Sequence, residues 1–163
     1  MNNKTKWLMQ SALIAAMYVV LTQIASMLGL SSGVIQIRFS EALNVVACFL
    51  PAAVPGLFVG CILANILSGA VLWDVIFGSI ATLIGALGVY FLRNKRILAL
   101  SCPVISNAII IPFILKYAYG FPGGILYFII TVAIGEIISC GIIGFLLGRA
   151  LDRYKSLLFK QIN

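Results

Sequence analysis

Long apolar runs separated by short polar breaks are the feature that most restricts the fold of this chain. One run extends from Trp7 to Leu30, and a longer one from Phe39 to Ala70. A helix needs about 20 apolar residues to cross the hydrocarbon core of a bilayer. The composition agrees: 63% of the 163 residues are hydrophobic and 9% are charged, against about 45–50% and about 25% in soluble domains. We therefore predict an all-α integral membrane protein.

The breaks in the apolar sequence predict six transmembrane helices. The run 39–70 is too long for one ordinary span, and Pro51 and Pro55 divide it in two, because proline interrupts helical hydrogen bonding. The predicted helices cover about 7–30, 39–50, 55–70, 73–92, 98–117 and 125–148, and a basic amphipathic tail covers 149–163. Residues 1–163 thus form a single membrane domain.

The basic residues predict the orientation of this bundle. With six helices, both termini and the connection near residue 94 lie on the same side. That side carries nine of the 11 Lys and Arg residues: Lys4, Lys6, Arg93, Lys95, Arg96, Arg149, Arg153, Lys155 and Lys160. Positive residues favour the cytoplasmic side, so both termini are predicted to be cytoplasmic. A five-helix arrangement would separate 93–96 from the tail. The net charge of +7 therefore needs no nucleic-acid partner.

Polar side chains concentrate toward the opposite, outer end of the predicted bundle. Three of the four acids, Glu41, Asp74 and Glu136, lie in its outer half. The inner half holds almost no ionisable groups, whereas a channel needs a polar lining along its whole path. Unpaired polar groups inside a membrane are costly unless they face a partner or a ligand. We therefore predict a binding site shaped like a cup that opens to the outside.

Nine residues with polar groups at suitable depth are candidates for this site: Arg38, Glu41, Asn44, Asn65, Asp74, Asn107, Lys116, Tyr117 and Glu136. Structural roles remain open for some of them. Asp74 can act as an interfacial helix cap, Arg38 and Glu41 can form an ion pair, and Asn107 can bridge two helices. The chain has no histidine, and no cluster has the spacing of metal ligands. Neither a metal site nor a catalytic site is predicted.

Small residues four apart predict close helix contacts. Ala12 and Ala16 form such a face on the first helix, and Gly56 with Gly60 and Gly144 with Gly148 form others. Packing within the bundle is the ordinary role of such faces. The face on the first helix would lie near the cytoplasm, where a partner protein can dock.

Two stretches resemble a known family: IRFSEALNVVACFLPAAVPGLFVGCILAN at 37–65 and WDVIFGSIATLIGA at 73–86. They are similar to the QueT family, the substrate-binding S-components of energy-coupling factor (ECF) transporters, and the resemblance extends over nearly the whole chain. It implies a multi-pass protein of a prokaryotic plasma membrane that binds a queuosine precursor from outside. The substrate class is a 7-deazaguanine base, such as queuine or 7-aminomethyl-7-deazaguanine.

The resemblance also implies partners. Uptake would require a membrane T-component and two cytoplasmic ATPases, and Ala12 and Ala16 match the small residues with which the first helix of S-components contacts the T-component. The chain itself lacks the GxxxxGK[ST] motif, so ATP hydrolysis must come from a partner. The protein is thus expected not to be an enzyme and to need no cofactor.

The candidate residues suit a guanine-like base. Glu136 or Glu41 can accept the adjacent N–H and NH₂ groups of its edge, and Asp74 would match a cationic aminomethyl group. Arg38 is expected to pair with a carboxylate or to anchor the outer loop. Donors to the O6 acceptor are available in Asn107, Asn65 and Lys116. Rings for stacking are available in Phe39, Trp73, Tyr117 and Phe121.

Other functions stay possible at this point. S-components share a fold across unrelated ligands, so another vitamin-like substrate is the first alternative. A carboxylated vitamin would, however, call for more basic residues at the outer end than Arg38 and Lys116. A solitary membrane transporter is the second alternative, and a membrane enzyme is the third and weakest.

Overall fold

The computed structural model describes residues 2–30 and 36–158, with side chains as far as Tyr154. The described chain is all-helical and contains six helices. They are α1 (Asn3–Met27), α2 (Phe39–Cys48), α3 (Ala53–Leu67), α4 (Asp74–Phe91), α5 (Arg96–Ala118) and α6 (Ile125–Tyr154). α1, α4, α5 and α6 are long and apolar enough to cross a membrane, whereas α2 and α3 are shorter. The predicted all-α class and the number of helices are confirmed.

The two short helices differ in detail from the prediction. α2 is a 3-10 helix, which rises about 2.0 Å per residue rather than about 1.5 Å. Its ten residues therefore reach about 20 Å into the bundle. α3 begins at Ala53 rather than 55, because Pro55 falls in its first turn, where the missing N–H is tolerated.

The C-terminal segment also differs from the prediction. The tail predicted from residue 149 continues α6 without a break, and its backbone remains helical beyond Tyr154 as far as Leu158. Its last five residues, 159–163, lie outside the described part of the chain. The proline at 112 lies inside α5, and a π-helical turn, Ile114–Ala118, follows it.

The helices run alternately up and down, as contacts between their ends show. Ser11 in the first half of α1 donates to the carbonyl of Ala52, just before α3, at 2.6 Å. Arg96 at the start of α5 pairs with Asp152 near the end of α6. One end of the bundle, here called the basic end, therefore collects most of the described cations: Lys4, Lys6, Arg93, Lys95, Arg96, Arg149 and Arg153.

Glycines bring α1 and α3 into close contact. A Cβ atom at Gly56 would lie 2.6 Å from the carbonyl oxygen of Ser11, and one at Gly60 would lie 2.8 Å from Cβ of Tyr18. Both distances are shorter than a carbon side chain allows, so only glycine permits this approach. The predicted face of Gly56 and Gly60 on α3 thus packs inside the bundle, against α1. Ala12 and Ala16 lie on the exposed side of α1.

Candidate binding cavity

A polar cavity of about 370 Å³ lies at the end of the bundle opposite the basic end. Helix α1, the segment 36–38, the end of α3 and the turn after α5 contribute its walls. Its polar lining includes Thr22, Gln36, Arg38, Asn65, Asp74 and Tyr119. Small-molecule sites commonly have volumes of about 300–1,000 Å³ with a few convergent polar groups. The size and the lining of this cavity therefore suit a small polar ligand.

Asp74 is the centre of an ionic cluster in this cavity. Nη2 of Arg38 lies 3.6 Å from Oδ2 of Asp74, and the Tyr119 hydroxyl donates to the same oxygen at 3.0 Å. Burial, followed by the neighbouring carboxylate, raises the pKa of the Tyr119 phenol, which thus remains a donor at neutral pH. The sequence offered Glu41 as a partner for Arg38, but the acid that pairs with Arg38 is Asp74.

The second oxygen of Asp74 is buried and has no hydrogen-bond partner within the described chain. Gly78, one turn further along α4, leaves the space for it, since a Cβ there would lie 2.6 Å from Oδ1. Asp74 is the first residue of α4, and the residue at the cap position is Trp73. The carboxylate therefore serves the cavity cluster rather than the helix cap.

Glu136 and Asn107 line a smaller cavity directly beside the first. Gln36 and Arg38 line both cavities, so these side chains separate the two spaces. Oε2 of Glu136 and Nδ2 of Asn107 are buried and lack a hydrogen bond of good geometry in the described part of the protein, although the Asn107 amide lies close enough to Glu136 to interact with its carboxyl group. Leaving such a group unpaired costs about 1–3 kcal/mol, and most buried polar groups are paired. An acceptor and a donor in one small cavity mark a place for a complementary ligand.

The segment 36–38 is held against α6 beside Glu136. The backbone N–H of Arg38 donates to Oγ of Ser139 at 3.1 Å. A Cβ atom at Gly135 would lie 2.2 Å from the carbonyl oxygen of Gln36, so glycine is required for this contact. A π-helical stretch, Ile137–Ile143, follows Glu136 at once, and such stretches are frequent at functional sites. Local backbone features thus position the carboxylate of Glu136.

Glu41 and Asn44 lie near the middle of the bundle, not at its rim. Oε1 of Glu41 accepts hydrogen bonds from Tyr18 and, at 3.3 Å, from Thr82. Its Oε2 accepts one from Asn44 at 2.7 Å. The sequence placed both residues at the outer mouth, but α1 continues past the start of α2, and Ser40 already lies beside Thr22. Both oxygens of the carboxylate are therefore satisfied inside the protein.

Of the four rings that the sequence offered for stacking, Phe121 lines the polar cavity, whereas Phe39, Trp73 and Tyr117 do not. Trp73 and Tyr117 are 59% and 74% exposed and line an apolar groove on the outer face of α4 and α5, while Phe39 is half-buried. The rings in the polar cavity belong to Tyr119 and Phe121, which stack with centroids 5.8 Å apart.

Of the remaining predicted residues, Asn65 lines the cavity and Lys116 stabilises a turn next to it. Asn65 lines the cavity and donates to the backbone carbonyl of Asp74 at 3.2 Å. Lys116 donates to the carbonyl of Gly123 at 2.8 Å and so closes the turn before α6. Thr22 and Gln36 are lining residues that the sequence reasoning missed. Both are polar residues within apolar stretches of the sequence, and that pattern could have identified them as lining residues.

A polar cavity among apolar helices, four of them long enough to cross a bilayer, is the arrangement expected of a membrane protein with a small-molecule site. A sequence profile of the QueT transporter family matches residues 8–153. Because this match covers most of the chain, the protein belongs to the QueT transporter family, which confirms the resemblance seen in the sequence.

A curated relative adds a more specific comparison. The protein named Queuosine precursor transporter QueT, from Lactococcus lactis subsp. cremoris (strain MG1363), is 39% identical over 83 residues. The aligned region covers 50% of this chain and 48% of that protein. The chain thus spans about half the length of the curated relative it matches. No solved structure matches the chain.

Proposed function

We propose that the protein is the substrate-binding S-component of an ECF importer and binds a queuosine precursor, a 7-deazaguanine base, from the outside. Membership of the QueT transporter family supports transport. The name of the Lactococcus relative supports the substrate class. The polar cavity supports binding of a compact polar molecule rather than conduction of ions.

The observation that carries the proposal is that Oε2 of Glu136 and Nδ2 of Asn107, which lie close together, are both buried without a well-formed hydrogen bond in the described chain. A guanine-like edge presents an N–H and an NH₂ group beside the O6 acceptor. A carboxylate accepts from both donors, and an amide NH₂ donates to O6. The edge would occupy the small cavity, which has a volume of only about 10 Å³ and must widen to admit it, and the remainder of the base would occupy the larger one. Because Gln36 and Arg38 separate these spaces, their side chains must shift when the base enters.

Asp74 provides a means to distinguish between precursors. Its contact with Arg38 is long, at 3.6 Å, and one of its oxygens is unpartnered. An aminomethyl group carries a positive charge and would compete with Arg38 for this carboxylate. We therefore expect 7-aminomethyl-7-deazaguanine to bind more tightly than the neutral cyano precursor.

The test is calorimetric titration of the purified protein with queuine, the aminomethyl and cyano precursors, and guanine. Glu136→Gln replaces an acceptor by a donor at the base edge. It should weaken binding about tenfold or more, since a hydrogen bond to a charged group contributes about 1.5–3 kcal/mol. Asp152→Asn, a charge change of the same size at the basic end, should leave the affinity unchanged. Equal affinity of Glu136→Gln and wild type would remove Glu136 from the site. Binding of an unrelated vitamin instead would show a different substrate.

The S-component role carries further proposals. All six helices span the plasma membrane of a prokaryote with both termini in the cytoplasm, as the concentration of cations at the basic end supports. The chain works with a membrane T-component and two cytoplasmic ATPases, and Ala12 and Ala16 on the exposed side of α1 form the docking face. A tagged chain should co-purify with these partners, whereas uptake by the chain alone in liposomes would indicate a solitary transporter.

A further inference from the structure

A pocket of about 450 Å³ lies at the basic end, between the start of α5 and the last turns of α6. Lys95, Arg96 and Arg149 provide its positive charge, and Asp152 its negative charge. It lies at the opposite end of the bundle from the polar cavity. The function proposed for that cavity does not require it.

Within this pocket, one cation is already neutralised. Arg96 forms a bidentate ion pair with Asp152, in which Nη2 of Arg96 lies 3.0 Å from Oδ1 of Asp152. The guanidinium of Arg96 also lies over the Phe49 ring, 5.3 Å from its centroid, which fixes it against α2. The excess positive charge of the pocket therefore rests on Lys95 and Arg149, both of which are exposed.

An apolar groove continues from this pocket along the outer face of α5 and α6. The groove has a volume of about 490 Å³ and shares Ile97 and Phe145 with the basic pocket. It reaches as far as Ile105, two turns above Ile97, or about 12 Å along the helix axis. Gly141 leaves the groove open on the α6 side.

A basic pocket that continues into an apolar groove suits a molecule that has an anionic group at one end and an apolar chain at the other. We propose that this surface binds an anionic phospholipid, with its phosphate between Lys95 and Arg149 and an acyl chain in the groove beyond Phe145. Basic pockets between membrane helices are suited to anionic headgroups. The Arg149 guanidinium lies 5.1 Å from the centroid of the Phe145 ring, so one contact joins the polar and apolar parts of the site.

The test is native mass spectrometry of the delipidated, purified protein titrated with phosphatidylglycerol or phosphatidylcholine. Wild type should retain phosphatidylglycerol preferentially. The double variant Lys95→Gln/Arg149→Gln should bind it about thirtyfold more weakly, because two cations near the phosphate are lost. The control, Lys4→Gln/Lys6→Gln, removes the same charge at the same end and should bind like wild type.

A second variant tests the groove with every charge in place. A Cβ at Gly141 meets ordinary contact distances, with Cγ2 of Ile137 at 3.7 Å, so Gly141→Leu should fold and fill the groove. It should lose phosphatidylglycerol, and thermal unfolding should verify that it is folded. Glycerol phosphate should not displace the lipid. Equal retention of both lipids by wild type, wild-type retention by the double variant, or displacement by glycerol phosphate would overturn the proposal.

Discussion

The three acids of the membrane bundle have the same chemistry and three different environments. Glu41 accepts hydrogen bonds from Tyr18, Thr82 and Asn44. Asp74 pairs with Arg38 and retains one unpartnered oxygen. Glu136 lies in a small cavity, where its buried Oε2 has no well-formed hydrogen bond among the described residues. We infer that the first acid stabilises the fold and that the other two meet the ligand.

This division predicts different effects for two equivalent substitutions. Glu41→Gln places an amide NH₂ among groups that already donate, which should destabilise the protein by about 1–3 kcal/mol. The folded fraction of the Glu41→Gln variant should nevertheless bind substrate more tightly than the Glu136→Gln variant does. Thermal unfolding and calorimetry of both variants measure the two effects. A loss of affinity in Glu41→Gln as large as that in Glu136→Gln, at unchanged stability, would place Glu41 in the site.

At the scale of elements, the lengths of the apolar runs predicted the long helices well. The two short helices were less predictable. Pro51 and Pro55 indicate where helical N–H groups are missing, but not whether the neighbouring residues form α or 3-10 hydrogen bonds. That choice depends on packing, and α2 is surrounded by α1, α3, α4, α5 and α6. Contacts on all sides support a long 3-10 helix that would be unusual in isolation.

Helix α1 has two faces with different surroundings, and the exposed one is the docking face proposed above. Ala15 and Tyr18 meet the glycines of α3, whereas Ala12 and Ala16 are exposed. Ala16→Leu should therefore leave the thermal stability unchanged and reduce co-purification of the T-component, because a larger side chain prevents close helix approach.

Ala150→Leu offers a control of the same size on α6, where residue 150 is also exposed. It should co-purify with the T-component as well as the wild type does. If Ala16→Leu also retains the T-component at the wild-type level, the docking face lies elsewhere on the chain.

At the scale of the whole molecule, alternating helices place most of the described cations at one end and the polar cavity at the other. The proposed orientation predicts that Pro122→Cys, in the turn before α6, reacts with a membrane-impermeant maleimide in intact cells. Asn94→Cys, in the connection between α4 and α5, should react only after lysis. Both positions are exposed, and the four native cysteines, which are buried or half-buried, provide the background control. Labelling of residue 94 in intact cells would reverse the orientation.

The sequence by itself determined the all-helical class, the number of helices and the collection of cations at one end. These properties depend on hydropathy and charge summed along the chain. It also singled out Glu136 and Asn107, because polar residues are rare in such apolar surroundings. Only the tertiary structure decided that Asp74 pairs with Arg38, that Glu41 is satisfied internally, and that Tyr119 lines the cavity while Trp73 does not. Those outcomes depend on which residues, far apart in the sequence, become neighbours in space. Patterns within short stretches of sequence do not contain that information.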